Sequence, residues 1–191
     1  MLGYRIKPLA IIKAHRRSEI EVRVHPTLVP QGHVLASVNG PFNALAVRGD
    51  IVGDTLFYGR GAGQDPTSSA VISDIAEAAV ALETPQASYG FTPHGLYGTC
   101  KPIDQIVSQY YLRISVHDKP GVLAQVAGIL GARGIGISSM IQPEVHEPDD
   151  VPLILMVHDA SNAQMEAALG EIEQLDCVRK TPRKIRVETF A

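Results

Sequence analysis

The chain has 191 residues, 45% of them hydrophobic, a formal charge of −3 and two cysteines. That length can bury one medium core or two small ones, while the near-neutral balance excludes the broad basic field that nucleic-acid binding needs. Cys100 and Cys177 are too few and too far apart for a disulfide framework or a metal site, no apolar run approaches the ~20 residues of a membrane span, and the first residues lack the basic-then-apolar pattern of a leader, so export is not expected.

These bounds lead us to expect a protein of a reducing, cytoplasmic setting, with no nucleic acid or membrane partner. The segment Met1 to Ile6 runs directly into strand-like sequence, which reads as a chain entered mid-domain. From Lys7 to His15 the sequence is largely apolar, Arg16 to Ser18 supplies a turn, and Glu19 to His25 alternates so that Ile20, Val22 and Val24 share a face. This predicts a hairpin whose second strand is half-buried. Lys7 and Lys13 then fall on a solvated strand face, and His25 and His33 lack a carboxylate or nucleophile at a telling spacing. No catalytic residue is assigned.

Asn39-Gly40-Pro41 marks a turn, Phe42 to Val47 is apolar, and Arg48-Gly49-Asp50 turns the chain again into Thr55 to Tyr58. Such short strands in succession imply an antiparallel or mixed sheet. Gly59, Gly61 and Gly63 follow, and Pro66 and Thr67 mark a helix start. Val71, Ile75, Ala78, Ala79 and Leu82 then recur at helical spacing, up to a stop near Glu83-Thr84-Pro85. Glycines between a strand and the positive end of a helix let backbone approach a phosphate or ribose closely. The cluster has no third glycine at the spacing of the dinucleotide fingerprint, so it offers at most a secondary contact to a cofactor.

Residues 84–108 are dense in proline and glycine and read as a connector, with Tyr89, Phe91 and Tyr97 packed on a neighbouring element. Tyr110, Leu112, Ile114 and Val116 then share a strand face. Asp118 can cap the next helix, whose buried stripe is Val122, Leu123, Val126, Ala127 and Leu130, and Gly134 stops it. A strand over Ile135 to Gln142, a polar loop and a strand over Leu153 to Val157 follow. Ser161 with Gln164 predicts a capping box for a helix that buries Met165, Ala168, Leu169, Ile172 and Leu175. Val178 to Val187 is the last strand, at an edge or bulged at Pro182. The order βαββαβ is the ferredoxin-like split unit, so the fold class is α+β: a partial mixed or antiparallel sheet with a helix, then a ferredoxin-like domain. One sheet face or edge is left for a partner copy.

Two resemblances attach to these motifs. The segments EVRVHPTLVP (21–30), LASVNGPFNALAV (35–47), GDTLFYGRGAG (53–63) and PTSSAVISDI (66–75) stand in the order found in the C-terminal portion of the homoserine dehydrogenase catalytic domain, which residues 2–82 resemble. The resemblance implies an oxidoreductase interconverting homoserine and aspartate semialdehyde with NAD(P) on the route to threonine and methionine. It also implies cofactor contacts at Gly61, Ala62 and Gly63. The family's Rossmann domain and catalytic lysine segment precede the matched stretch, so this chain alone is not expected to transfer hydride or hold the cofactor tightly.

The stretch YYLRISVHDKPGVLAQVAGILGARGIGISSM (110–140) resembles the ACT domain, an amino-acid-sensing module that binds its effector between paired copies. That resemblance implies Asp118 for the ligand's ammonium, the amides of Gly121, Val122 and Leu123 for its carboxylate, and Ile137, Ser138 and Ser139 as side-chain contacts. It further implies a homo-oligomer and, by pathway logic, threonine as effector. The resulting organisation is the end of a catalytic and dimerisation domain at 1–83, a linker at 84–108 and an ACT domain at 109–191. A stand-alone amino-acid sensor and a truncated inactive product are the alternatives.

Overall fold

A computed structural model describes residues 2–15, 19–83, 99–143 and 150–190. The expected turn at 16–18, the aromatic residues of the connector and the middle of the polar loop lie outside these. The chain divides into two compact units, one of residues 1–30 with 96–191 and one of residues 31–95.

The first unit contains strands β1 (Tyr4–His15) and β2 (Glu19–Pro30), and later β5 (Thr99–Cys100) and β6 (Val107–Val116). Helix α2 (Val122–Ala132), β7 (Ile137–Ile141), β8 (Val151–Ser161), helix α3 (Asn162–Glu173) and β9 (Val178–Val187) complete it. Its main sheet has the order β1-β2-β9-β6-β8-β7. Within it β9-β6-β8-β7 is antiparallel throughout, and with α2 and α3 it forms the expected βαββαβ unit. Alternation in β6 buries Tyr110, Leu112, Ile114 and Val116, which meet Val126 and Leu130 of α2 and Met165, Ala168 and Ile172 of α3. The predicted capping box is present: the Gln164 amide N–H donates to Ser161 Oγ at 3.2 Å, and Gln164 Oε1 accepts from the Ser161 backbone N–H at 3.0 Å.

Proline cannot donate to a ladder, and opposite Pro182 the β6–β9 register shifts twice, between Arg113 and Ser115 and again before Val116. Beyond that irregularity β9 is not a free edge, because β2 joins it in parallel at Thr27↔Arg186 and Leu28↔Val187. The β1–β2 hairpin thus extends the ferredoxin-like sheet.

In β2 the buried face is the reverse of the one expected. Glu21, Arg23 and Thr27 are buried, whereas Val22 and Val24 are 51% and 78% exposed. From Glu21 to Arg23 the covered side is charged because it faces charges on its neighbours, and it ends in the fully buried Val29. Arg23 Nη2 donates to Glu188 Oε2 at 2.6 Å and Nη1 to Ser108 Oγ at 2.8 Å, while its Nε lies 3.1 Å from Glu21 Oε1. Lys13, expected in solvent, donates to Glu188 Oε1 at 2.6 Å.

The second unit holds a short 3-10 helix at Val34–Ser37 and an antiparallel hairpin of β3 (Phe42–Gly49) and β4 (Gly53–Arg60), followed by α1 (Gln64–Glu83). His33 accepts the Leu35 amide at 3.3 Å and so caps the 3-10 helix. In the hairpin, Arg48 pairs with Asp54 through two bonds, at 2.6 and 3.0 Å, and Phe42 stacks on Tyr58 at 5.0 Å. Helix α1 forms over the expected span, yet none of its residues is buried. Val71, Ile75 and Leu82, which carry its predicted apolar face, are 51%, 63% and 84% exposed. The stripe has the right period but no cover among the described residues.

His25 on β2 supplies a pH dependence. Burial, reinforced by the Arg186 and Arg23 cations, holds its imidazole below the ordinary histidine pKa despite a bond to the Pro26 carbonyl. The unfolded chain therefore binds this proton more readily, so stability is lost as pH falls below about 6.5. Urea melts between about pH 7 and pH 5 should show a shallower acid loss for His25→Gln than for the parent chain.

Candidate functional site

The turn joining β6 to α2 is built around Gly121. This residue caps α2 at φ 90°, ψ −12°, in the left-handed region, with no side-chain hydrogen bond to the helix. A Cβ at this position would meet nothing within 4 Å, so the backbone angle rather than lack of space selects glycine. Lys119 N–H donates to the His117 carbonyl at 3.0 Å, Val122 N–H to the Lys119 carbonyl at 3.3 Å and Gln125 N–H to the Gly121 carbonyl at 3.1 Å. The turn therefore ends on the first coil of α2, where amides lack intrahelical acceptors and the helix dipole favours negative charge.

Asp118 is not the helix cap, since the reversal occurs at Gly121 and leaves Asp118 three residues outside it. Its exposed carboxylate instead accepts from Gln142 Nε2 at 3.2 Å. Gln142 directly follows β7, so this bond ties the β6–α2 turn to the end of the strand carrying the other expected contacts. Spacing alone predicts that β7 runs to Gln142 but assigns that residue no contact. A long amide closing an otherwise apolar and serine strand was the available signal.

Of the β7 residues, Ile137 is half-buried, and the Ser138 hydroxyl is committed to the Met156 carbonyl at 3.0 Å. Ser139 is exposed, and the β7–β8 register shifts between Ile137 and Ser139. Val122, Val126 and Leu130 form the buried stripe of α2, but Leu123, expected in it, is 38% exposed. Met140 and Ile141 are each 42% exposed.

The glycine cluster of the second unit is stitched to its own hairpin. Gly61 and Ala62 N–H both donate to the Pro41 carbonyl, at 3.0 and 3.3 Å. A Cβ on Gly61 would fall 1.9 Å from Asn43 Nδ2, so this glycine admits a neighbouring side chain. Gly63, at φ 117°, leads into α1, and its carbonyl accepts the Thr67 amide at 3.2 Å. The backbone amides of two of the three residues expected at a cofactor are thus engaged locally.

Comparison with known proteins gives this geometry a context. Residues 1–76 match the family model described as homoserine dehydrogenase, and residues 110–177 match that of the ACT domain. The chain is similar to the C-terminal portion of homoserine dehydrogenase. Homoserine dehydrogenase of Neisseria gonorrhoeae is 40% identical over 99% of this chain, and that of Pseudomonas aeruginosa 44% identical over 98%. The chain spans 44% of the length of each. A crystal structure of a homoserine dehydrogenase from Thiobacillus denitrificans superposes with a TM-score of 0.82 at 37% identity, covering 100% of this chain and 44% of that one.

The left-handed angle at Gly121 makes the turn sensitive to a single methyl group. Gly121→Ala should lower stability by about 1–2 kcal/mol, read from the urea midpoint, although the added Cβ has open space around it.

Proposed function

We propose that this chain is the regulatory C-terminal part of a homoserine dehydrogenase and that its β6–α2 turn binds a free amino acid. The observation carrying this reading is the left-handed Gly121 at the mouth of α2, with the exposed Asp118 carboxylate linked to the end of β7. An amino acid presents one carboxylate and one ammonium at fixed separation, and the turn offers one partner for each. Asp118 takes the ammonium. The amides of Gly121, Val122 and Leu123 take the carboxylate, the long Val122–Lys119 bond giving way to the ligand. Ile137, Ser138 and Ser139 of a neighbouring copy contact the side chain.

The exposed Leu123, Met140 and Ile141 support pairing of copies beside this turn. Threonine is the effector we favour, as an end product of the route a homoserine dehydrogenase serves. In the complete enzyme, NAD(P)-dependent interconversion of L-homoserine and L-aspartate 4-semialdehyde falls to the segment preceding the matched stretch, and Gly61 to Gly63 add at most a secondary cofactor contact. The functional division follows 1–83, 84–108 and 109–191, in a cytoplasmic homo-oligomer.

Calorimetric titration with threonine, isoleucine, methionine, lysine and serine tests the reading. Threonine should bind, and Asp118→Ala should weaken it by about 1.5 kcal/mol or more, the loss expected for a hydrogen bond to a charged group. Equal heats from parent and variant would reject the site.

A second reading, a stand-alone sensor without catalysis, is favoured by the engagement of the Gly61 and Ala62 amides with Pro41. Under either reading the purified chain should show no homoserine-dependent reduction of NAD(P). Adding a separately produced N-terminal portion of a relative restores that reaction only if the chain is part of the enzyme.

A further inference from the structure

We propose that the buried charge cluster around Arg23 and Glu188 is a clasp holding the β1–β2 hairpin on the ferredoxin-like sheet as a separately releasable element. The hairpin is also held in other ways, with Leu28 and Val29 of β2 both buried. Its ladder to β9 comprises Thr27↔Arg186 and Leu28↔Val187, continued by the Glu188 amide donating to the Leu28 carbonyl at 3.0 Å. On one face a small apolar group joins Leu2, Tyr4 and Leu28 of the hairpin to Tyr111, Met156, Ile185 and Val187 of the sheet. A further parallel pairing of β2 runs to the two-residue β5.

On the opposite face Val29 is fully buried at one end, and the contacts around Arg23 are ionic and buried. The side chains of Arg23, Glu21 and Glu188 are each 3% to 5% exposed, and Arg23 reaches Glu188 of the segment after β9 and Ser108 of β6 at once. Lys13 of β1 closes on the second Glu188 oxygen, so both hairpin strands converge on one carboxylate. The cluster thus bridges a segment matching one family model and residues flanking the match to the other, since Ser108 and Glu188 lie outside 110–177.

A charged cluster suits release better than an apolar one. Its strength depends on every partner being in place, because a buried charge that loses its counterion is strongly destabilising. A small displacement of the segment after β9 is therefore felt at once by β2, which continues without interruption into residue 31. The clasp is independent of any effector and goes beyond the amino-acid-binding reading.

Amide hydrogen exchange on the ligand-free chain tests it. In Glu188→Gln, exchange of residues 20–29 should accelerate by at least about tenfold, the lower end for loss of hydrogen bonds to a charged group. Amides of β6 and β8 should keep their protection. Lys13→Met, at the more exposed side of the cluster, should show the same regional pattern more weakly. Unchanged exchange in residues 20–29, or equal acceleration across β2, β6 and β8, including outright unfolding, would overturn the proposal, because hairpin and sheet would then be one cooperative unit.

Discussion

The side chain of Arg23 sets how β2 lies on the protein. It projects from β2 into a space bounded by β6 and the segment after β9, where Glu188, Ser108 and Glu21 surround it. Turning β2 over to bury Val22 and Val24 would strand this guanidinium away from Glu188, and an isolated buried charge costs more than two valines return. Val22 and Val24 therefore point outward, and this part of the hairpin meets the sheet through charge, while Leu28 packs on Met156 and Val187 further along. A hydrophobic contact tolerates sliding, whereas an arginine divided between a carboxylate and a hydroxyl fixes register and distance together. That precision suits a junction where Pro182 has already disturbed the ladder of β9.

Beyond this junction the ferredoxin-like unit is held by ordinary packing. Its sheet interleaves β6 and β8 at the centre, and α2 and α3 cover them with Val126, Leu130, Met165 and Ile172. Tyr110 marks where packing gives way to polar contacts. Its ring lies under the Arg186 guanidinium at 5.7 Å, and burial raises its hydroxyl pKa. Arg186 also donates to Asn162 at 2.6 Å, so the start of α3, the end of β9 and the centre of β6 meet beside the hairpin. The core and the clasp thus share strand β6.

Elements governed by local rules were legible in the sequence. Alternation at Tyr110 to Val116, the Ser161–Gln164 box and the 3.6-residue period of α3 each follow from residue spacing within one element, and all appear in place. Face selection in β2 was not legible, because alternation establishes that two faces exist without saying which is covered. The partner deciding it, Glu188, lies 165 residues away. The site was legible in part. Asp-Lys-Pro-Gly located the turn but placed the cap at Asp118, whereas the left-handed angle puts it at Gly121 and leaves the Asp118 carboxylate to Gln142. Leu123 fitted the α2 stripe by spacing, yet it lies at the stripe's edge, where rotation of the helix by a fraction of a turn exposes it.

Helix α1 shows what a periodic pattern does and does not specify. Val71, Ile75 and Leu82 recur as a core-facing stripe should, and the helix forms over its full predicted length, yet the stripe remains in solvent. Leu45, Phe57, Ile51 and Val52 of the adjacent hairpin are 60%, 62%, 91% and 76% exposed. An apolar surface of that extent on so small a unit is uncommon for one that folds and stays soluble by itself. Periodicity encodes the burial required by the assembly in which a segment functions, and the described residues supply only part of that cover. The ferredoxin-like unit, by contrast, closes its core with residues of its own. The two units therefore differ among the described residues: one closes a core of its own, and the other leaves the apolar stripe of α1 exposed.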